Sequence, residues 1–175
     1  NYASIGNDMK IDRIKADGRV ILTVDDDFGN SNTGSRYDML NASSGSAANV
    51  EGWGISLISN GNIGSKNDKL TFNQTKGSTY SMDALANDSI YIKALADDKN
   101  QVNSVCNMIA REGDLDAEFG GNTTINNVTA EGDLRIVTRG KTLTINNLGH
   151  ITDDSVIPRD YFGTRTYGQQ DGGYT

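Results

Sequence analysis

Ile109-Ala-Arg-Glu-Gly-Asp-Leu-Asp-Ala117 returns a short way downstream as Thr129-Ala-Glu-Gly-Asp-Leu-Arg-Ile136. Setting Gly113-Asp114-Leu115 on Gly132-Asp133-Leu134 gives an offset of 19 residues, and Thr124-Ile-Asn-Asn-Val128 returns as Thr144-Ile-Asn-Asn-Leu148 at an offset of 20. The one-residue difference falls between them, at Phe119-Gly-Gly-Asn122 against Thr138-Arg-Gly-Lys141. Units that change length only in a turn behave as coils stacked on one another. An antiparallel sandwich also has short strands separated by turns. It gives no reason for the sequence to repeat.

Weaker copies lie upstream. Lys15-Ala-Asp-Gly-Arg-Val-Ile-Leu22, Val50-Glu-Gly-Trp-Gly-Ile-Ser-Leu57 and Leu85-Ala-Asn-Asp-Ser-Ile-Tyr-Ile92 each place turn residues before alternating apolar ones. Anchors at Val20, Ile55 and Ile90 give two steps of 35, read as two coils each, with Leu70-Thr-Phe72 midway in the second. Ile90 to Leu115 is 25 residues, one coil with an enlarged loop at Asp97-Asp-Lys-Asn-Gln101. The period of two in Ile90-Tyr-Ile92, Leu134-Arg-Ile136 and Leu143-Thr-Ile145 sends one set of side chains inward and the other to water. The expected fold is therefore all-β: one parallel β-solenoid over residues 1–175, about eight rungs of roughly twenty residues each. Residues 25–34 and 41–48 are expected to leave the coil as loops, and 153–175 to form an irregular loop or partial rung.

Composition agrees with a narrow core. Only 35% of the 175 residues are hydrophobic and 7% aromatic, yet the single proline and absence of long charge blocks do not suit a disordered tail. A net charge of −7 repels phosphate backbones, which disfavours nucleic acid as a partner. No apolar run has the length of a membrane span, so membrane insertion is not expected. The chain opens in polar sequence at Asn1, as a mature or excised piece of a longer protein would. The lone Cys106, set among apolar residues and with His150 the only histidine, reads as a buried small hydrophobe.

Stacking places equal positions above one another. Asn126 over Asn146, and Asn127 over Asn147, could then form amide ladders. Asp25-Asp26-Asp27, with Asn30 and Asn32 nearby, is the best candidate for Ca²⁺, but its ligands do not alternate as calcium loops do, and a solvated acidic turn explains it more simply. No other cofactor is expected. Asp114 and Asp133 recur one unit apart, as a catalytic carboxylate pair would, but the recurrence of the turn accounts for both, their repulsion being relieved by Arg111, Arg135 or Arg139. Trp53, Tyr80, Tyr91, Tyr161, Phe162, Tyr167 and Tyr174 would suggest a glycan surface only if they formed a contiguous patch.

Asn60-Gly-Asn-Ile-Gly-Ser65 followed by Leu70-Thr-Phe72, then Asp88-Ser-Ile-Tyr-Ile92 and the two repeats above, resemble the filamentous-haemagglutinin-like large exoproteins of adhesin and leukotoxin type. The resemblance covers roughly residues 10 to 150. It implies a right-handed parallel β-helix, export by two-partner secretion, and a secreted or bacterial cell-surface location. It also implies a structural stalk role in adhesion, biofilm or toxin display, with a surface receptor or glycan bound by other parts of the chain. No catalytic residue follows from it, so an enzyme is not expected. The alternative is a carbohydrate-active parallel β-helix, a polysaccharide lyase or tailspike-like hydrolase. Uncapped ends would favour end-to-end self-association.

Overall fold

The computed structural model describes residues 2–4, 7–24, 35–76, 79–95, 102–139 and 142–149. Among the described residues all the regular structure is strand, numbered here in chain order. One sheet holds seven strands, in the order β1 (Tyr2–Ser4), β4 (Val20–Val24), β7 (Ile55–Ser59), β9 (Met82–Ala86), β11 (Val102–Ala110), β13 (Asn122–Ala130) and β15 (Leu143–Gly149). A second holds six: β3 (Ile14–Lys15), β6 (Val50–Gly52), β8 (Leu70–Gln74), β10 (Ile90–Ala94), β12 (Leu115–Phe119) and β14 (Leu134–Thr138). Strands β2 (Met9–Ile11) and β5 (Met39–Asn41) form a short third ladder. Every paired set of strands is parallel.

From β6 onward the chain alternates between sheets, even-numbered strands in the six-stranded sheet and odd-numbered strands in the seven-stranded one. Parallel neighbours cannot be joined by a hairpin, so the chain must cross to the other sheet and return before pairing with its predecessor. The third ladder joins this arrangement: Met9 pairs with Met39, and single bridges carry Met39 to Ile63 and Ile63 to Ile90. Ile90 in turn pairs with Leu115, and Leu115 with Leu134.

Alternation decides which side chains meet. Strands β4, β8, β10 and β12 bury every second residue. In the seven-stranded sheet one inward column runs Leu22, Leu57, Ala84, Met108, Val128, all fully buried. Its last member, Leu148, is 59% exposed, because no described strand lies beyond β15. Phe72 and Phe119 meet edge to face across the six-stranded sheet, with ring centroids 6.1 Å apart. The outward set is not uniformly solvated: Ile58, Leu85 and Ile109 stack in register on outward positions and are buried too.

Two expectations about spacing need correction. Val20 pairs directly with Ile55, so the 35-residue step is one level, not two. Ile90 belongs to the other sheet, opposite Leu115; the same turn-then-strand pattern serves both sheets, which is why it matched. The spacing near twenty residues holds for β11 to β13 to β15 and β12 to β14, but Ile14 to Val50 takes 36. With seven strands in the longer sheet, the described residues hold fewer than the eight levels expected. The step of 25 from Ile90 to Leu115 is a single level; its expected loop, 97–101, lies outside the described residues, as do 25–34 and 153–175.

Candidate functional site

The amides near the end of the repeat stack in register. Asn146 Nδ2 donates to Asn126 Oδ1 at 2.8 Å, and Asn147 Nδ2 to Asn127 Oδ1 at 3.1 Å. The second column continues, with Asn127 Nδ2 donating to Asn107 Oδ1 at 3.0 Å and Asn107 Nδ2 to Asp83 Oδ1 at 2.7 Å. An amide both donates and accepts, so identical amides chain from level to level; a carboxylate only accepts, so it ends the chain. Arg19 lies 3.9 Å from the Asp83 carboxylate and offsets its charge. Asp83 escaped the sequence reading because the pairing of β9 with β11 slips between Val105 and Asn107; Asn107 lies 20 residues before Asn127, the offset of the repeat itself, but in Cys106-Asn107 rather than an Asn-Asn pair.

A longer polar column runs through the turns, and the sequence reading met only its upper part. The backbone N–H of Asp38 donates to Asp8 Oδ1 at 2.9 Å, that of Asn62 to Asp38 Oδ1 at 2.7 Å, and that of Ser89 to Asn62 Oδ1 at 3.0 Å. Asp114 N–H continues to Ser89 Oγ at 3.0 Å and Asp133 N–H to Asp114 Oδ1 at 2.9 Å. Each level's side-chain oxygen thus caps the turn N–H of the next, satisfying a donor that the ladders cannot reach. Its sequence signal is an Asp, Asn or Ser directly before Met9, Met39, Ile63, Ile90, Leu115 and Leu134. At Gly61, Gly113 and Gly132 an added Cβ would collide with the capping oxygens of Asp38, Ser89 and Asp114 respectively, which explains the Gly-Asp and Gly-Asn pairs.

Asp114 and Asp133 therefore stand on adjacent levels as capping residue and capped turn, with Tyr91 Oη donating to the other oxygen of Asp114 at 3.3 Å. The arginines expected to relieve them serve elsewhere. Arg135 bonds Asp116 at 2.6 Å, Arg139 bonds Glu118 at 2.8 Å, and Arg111 is buried with a bond to Asn87 Oδ1 at 3.2 Å. Backbone N–H groups, not guanidinium groups, meet the capping carboxylates of Asp8, Asp38 and Asp114.

The charged groups gather on the outer face of β12. Lys69 lies 2.7 Å from Asp116 and 3.0 Å from Glu118, while Arg135 and Arg139 approach from the next level. The hydrogen bond from Lys69, helped by Arg139 and Arg135 and opposed by partial burial, pulls the Glu118 carboxyl down to about 2. Such a group stays ionised through the neutral range and holds no proton for acid catalysis. Arg135 is raised in turn, chiefly by its bond to Asp116.

Asn49 was not singled out by sequence, yet it is fully buried. Its Nδ2 donates to Ile11 O at 2.9 Å and Asn41 Oδ1 at 2.6 Å, and its Oδ1 accepts from the Thr71 backbone at 2.8 Å. Cys106 is half-buried at the β11 irregularity, a correction to its expected place in the core: Val105 takes the inward position instead. Of the aromatic candidates, Trp53 and Tyr80 stack at 5.6 Å with Lys76 Nζ 3.6 Å from the Trp53 ring centre, whereas Tyr91 stands apart against Asp114. Asp25, Asp26 and Asp27, with Tyr161, Phe162, Tyr167 and Tyr174, lie outside the described residues. No helix among the described residues is long and apolar enough to cross a membrane. No family model, curated protein or solved structure matches the chain.

Proposed function

We propose that the chain winds as a right-handed parallel β-solenoid and serves as a rigid spacer in a secreted or surface-attached bacterial exoprotein used in adhesion, biofilm or toxin display. The observation that carries this reading is the turn column from Asp8 to Asp133, five side-chain caps that tie six successive turns together in register. Alternation of strands between two parallel sheets supports the same winding. A spacer needs stiffness along its axis and a solvated outer face, and bonds between levels supply the first. Binding to a surface receptor or glycan then falls chiefly to other parts of the longer protein. The exposed Leu148 and Leu134 at the last described level favour stacking of another unit there.

Removal of one whole level tests the reading. Deleting residues 115–133 joins Asp114 to Leu134 and restores the Asp-Leu pair in register. A spacer so shortened keeps its β-type circular dichroism and cooperative unfolding, and the parent protein keeps its surface attachment. Loss of folding on this deletion would overturn the solenoid. The carbohydrate-active alternative predicts depolymerisation of a polysaccharide that Asp114→Asn or Asp133→Asn abolishes, and that result would displace the spacer reading.

A further inference from the structure

We infer that the corner formed by Trp53, Tyr80, Lys76 and Arg19 is a binding subsite for an acidic sugar unit, a hexuronate within a polysaccharide chain. It lies where β6 turns into β7 and β8 into β9, so two successive corners present their side chains side by side. Tyr80 stacks on the half-buried Trp53 with the ring planes inclined at 30° and remains 40% exposed, so the indole backs a phenol face open to solvent. Gly54 allows the approach: a Cβ there would meet Tyr80 Cβ at 3.3 Å and Arg19 Cγ at 3.6 Å, which also shows how near Arg19 passes.

The charges favour an anionic sugar over a neutral one. Lys69, Arg135 and Arg139 are each held by carboxylates on the β12 face. Lys76 instead rests on the indole ring, and Arg19 is half-exposed, its carboxylate contact among the described residues, with Asp83, stretched to 3.9 Å. Asp83 takes up part of the Arg19 charge, so on a molecule of net charge −7 Lys76 beside the aromatic pair is the main anchor for an anion, with Arg19 the lesser one. A pyranose presents its C–H face to the phenol while its carboxylate reaches Lys76 or Arg19, a pairing of apolar contact with a few polar anchors that ligand sites commonly use. This inference places a binding activity within the chain itself and does not depend on the spacer reading.

Trp53 is the sole tryptophan, so its fluorescence reports on the corner directly. Titration of the intact chain with tetragalacturonate, and with maltotetraose as a neutral probe of equal length, is expected to give a saturable change only for the acidic sugar, with Kd about 1 mM. Lys76→Gln and Tyr80→Ala, each checked for native circular dichroism, are expected to weaken it at least fivefold. No saturable change, equal binding of both probes by the unaltered chain, or unchanged affinity in both variants would overturn the proposal.

Discussion

At Gly132 the absence of a side chain is a packing requirement. The Asp114 carboxylate occupies the space a Cβ would take, because that carboxylate caps the N–H of Asp133. Gly132→Ala is expected to destabilise by about 1–3 kcal/mol in urea unfolding. In an Asp114→Ala background its cost should fall by about 1 kcal/mol, since the colliding oxygen is gone. Equal costs in both backgrounds would show that the oxygen does not cause the constraint. Asn127 is the second residue with a sharp expectation, because it donates to Asn107 and accepts from Asn147. Asn127→Ala should cost about 1 kcal/mol, whereas Asn146→Ala, at the exposed end of its own pair, should stay within about 0.5 kcal/mol. Both residues stand in the Ile-Asn-Asn repeat and were visible in sequence. Asn49 was not, because a buried amide with partners drawn from three separate segments leaves no local pattern.

Strand β12 shows how an element combines core and surface roles. Leu115, Ala117 and Phe119 face inward, while Asp116 and Glu118 face a group of cations from levels on both sides. Because Glu118 ionises at about 2 in the folded chain, below the ordinary carboxylate range, its stabilising effect is complete above roughly pH 4.5 and is lost as pH falls toward 2. Glu118→Gln is therefore expected to reduce stability by about 1 kcal/mol at pH 7, after allowance for solvent screening, and to flatten the acid limb of a stability–pH curve. An unchanged acid limb would contradict the network, and added salt should shrink the difference at pH 7. The inward half of such strands was legible, since period two in a short apolar run states it outright. The partners of the outward half were not, because Lys69 lies 47 positions from Asp116 in the chain and meets it only through the stacking of levels.

Over the whole molecule, what sequence revealed was set by loop length. Where the step between levels stays at 19 or 20 residues, between β11 and β15, the repeat declares the pairing. Where a level takes 35 residues, as from Val20 to Ile55, spacing alone assigned two levels to one, and the 36 residues from Ile14 to Val50 carried no repeat to declare their pairing. The column of turn caps was present throughout as a recurrent polar–apolar pair, but its intervals vary from 19 to 30 residues and conceal it from a search at fixed period. The pairing of Val20 with Ile55 is thus the place where the account is most exposed, and nuclear Overhauser contacts in a uniformly labelled sample test it most directly. Parallel stacking predicts contacts between Val20 and Ile55, and between Leu22 and Leu57, with the short Hα–Hα contacts of antiparallel pairs missing across both. Strong Hα–Hα contacts between these strands, or Val20 found beside a strand other than β7 and outside its register, would contradict it.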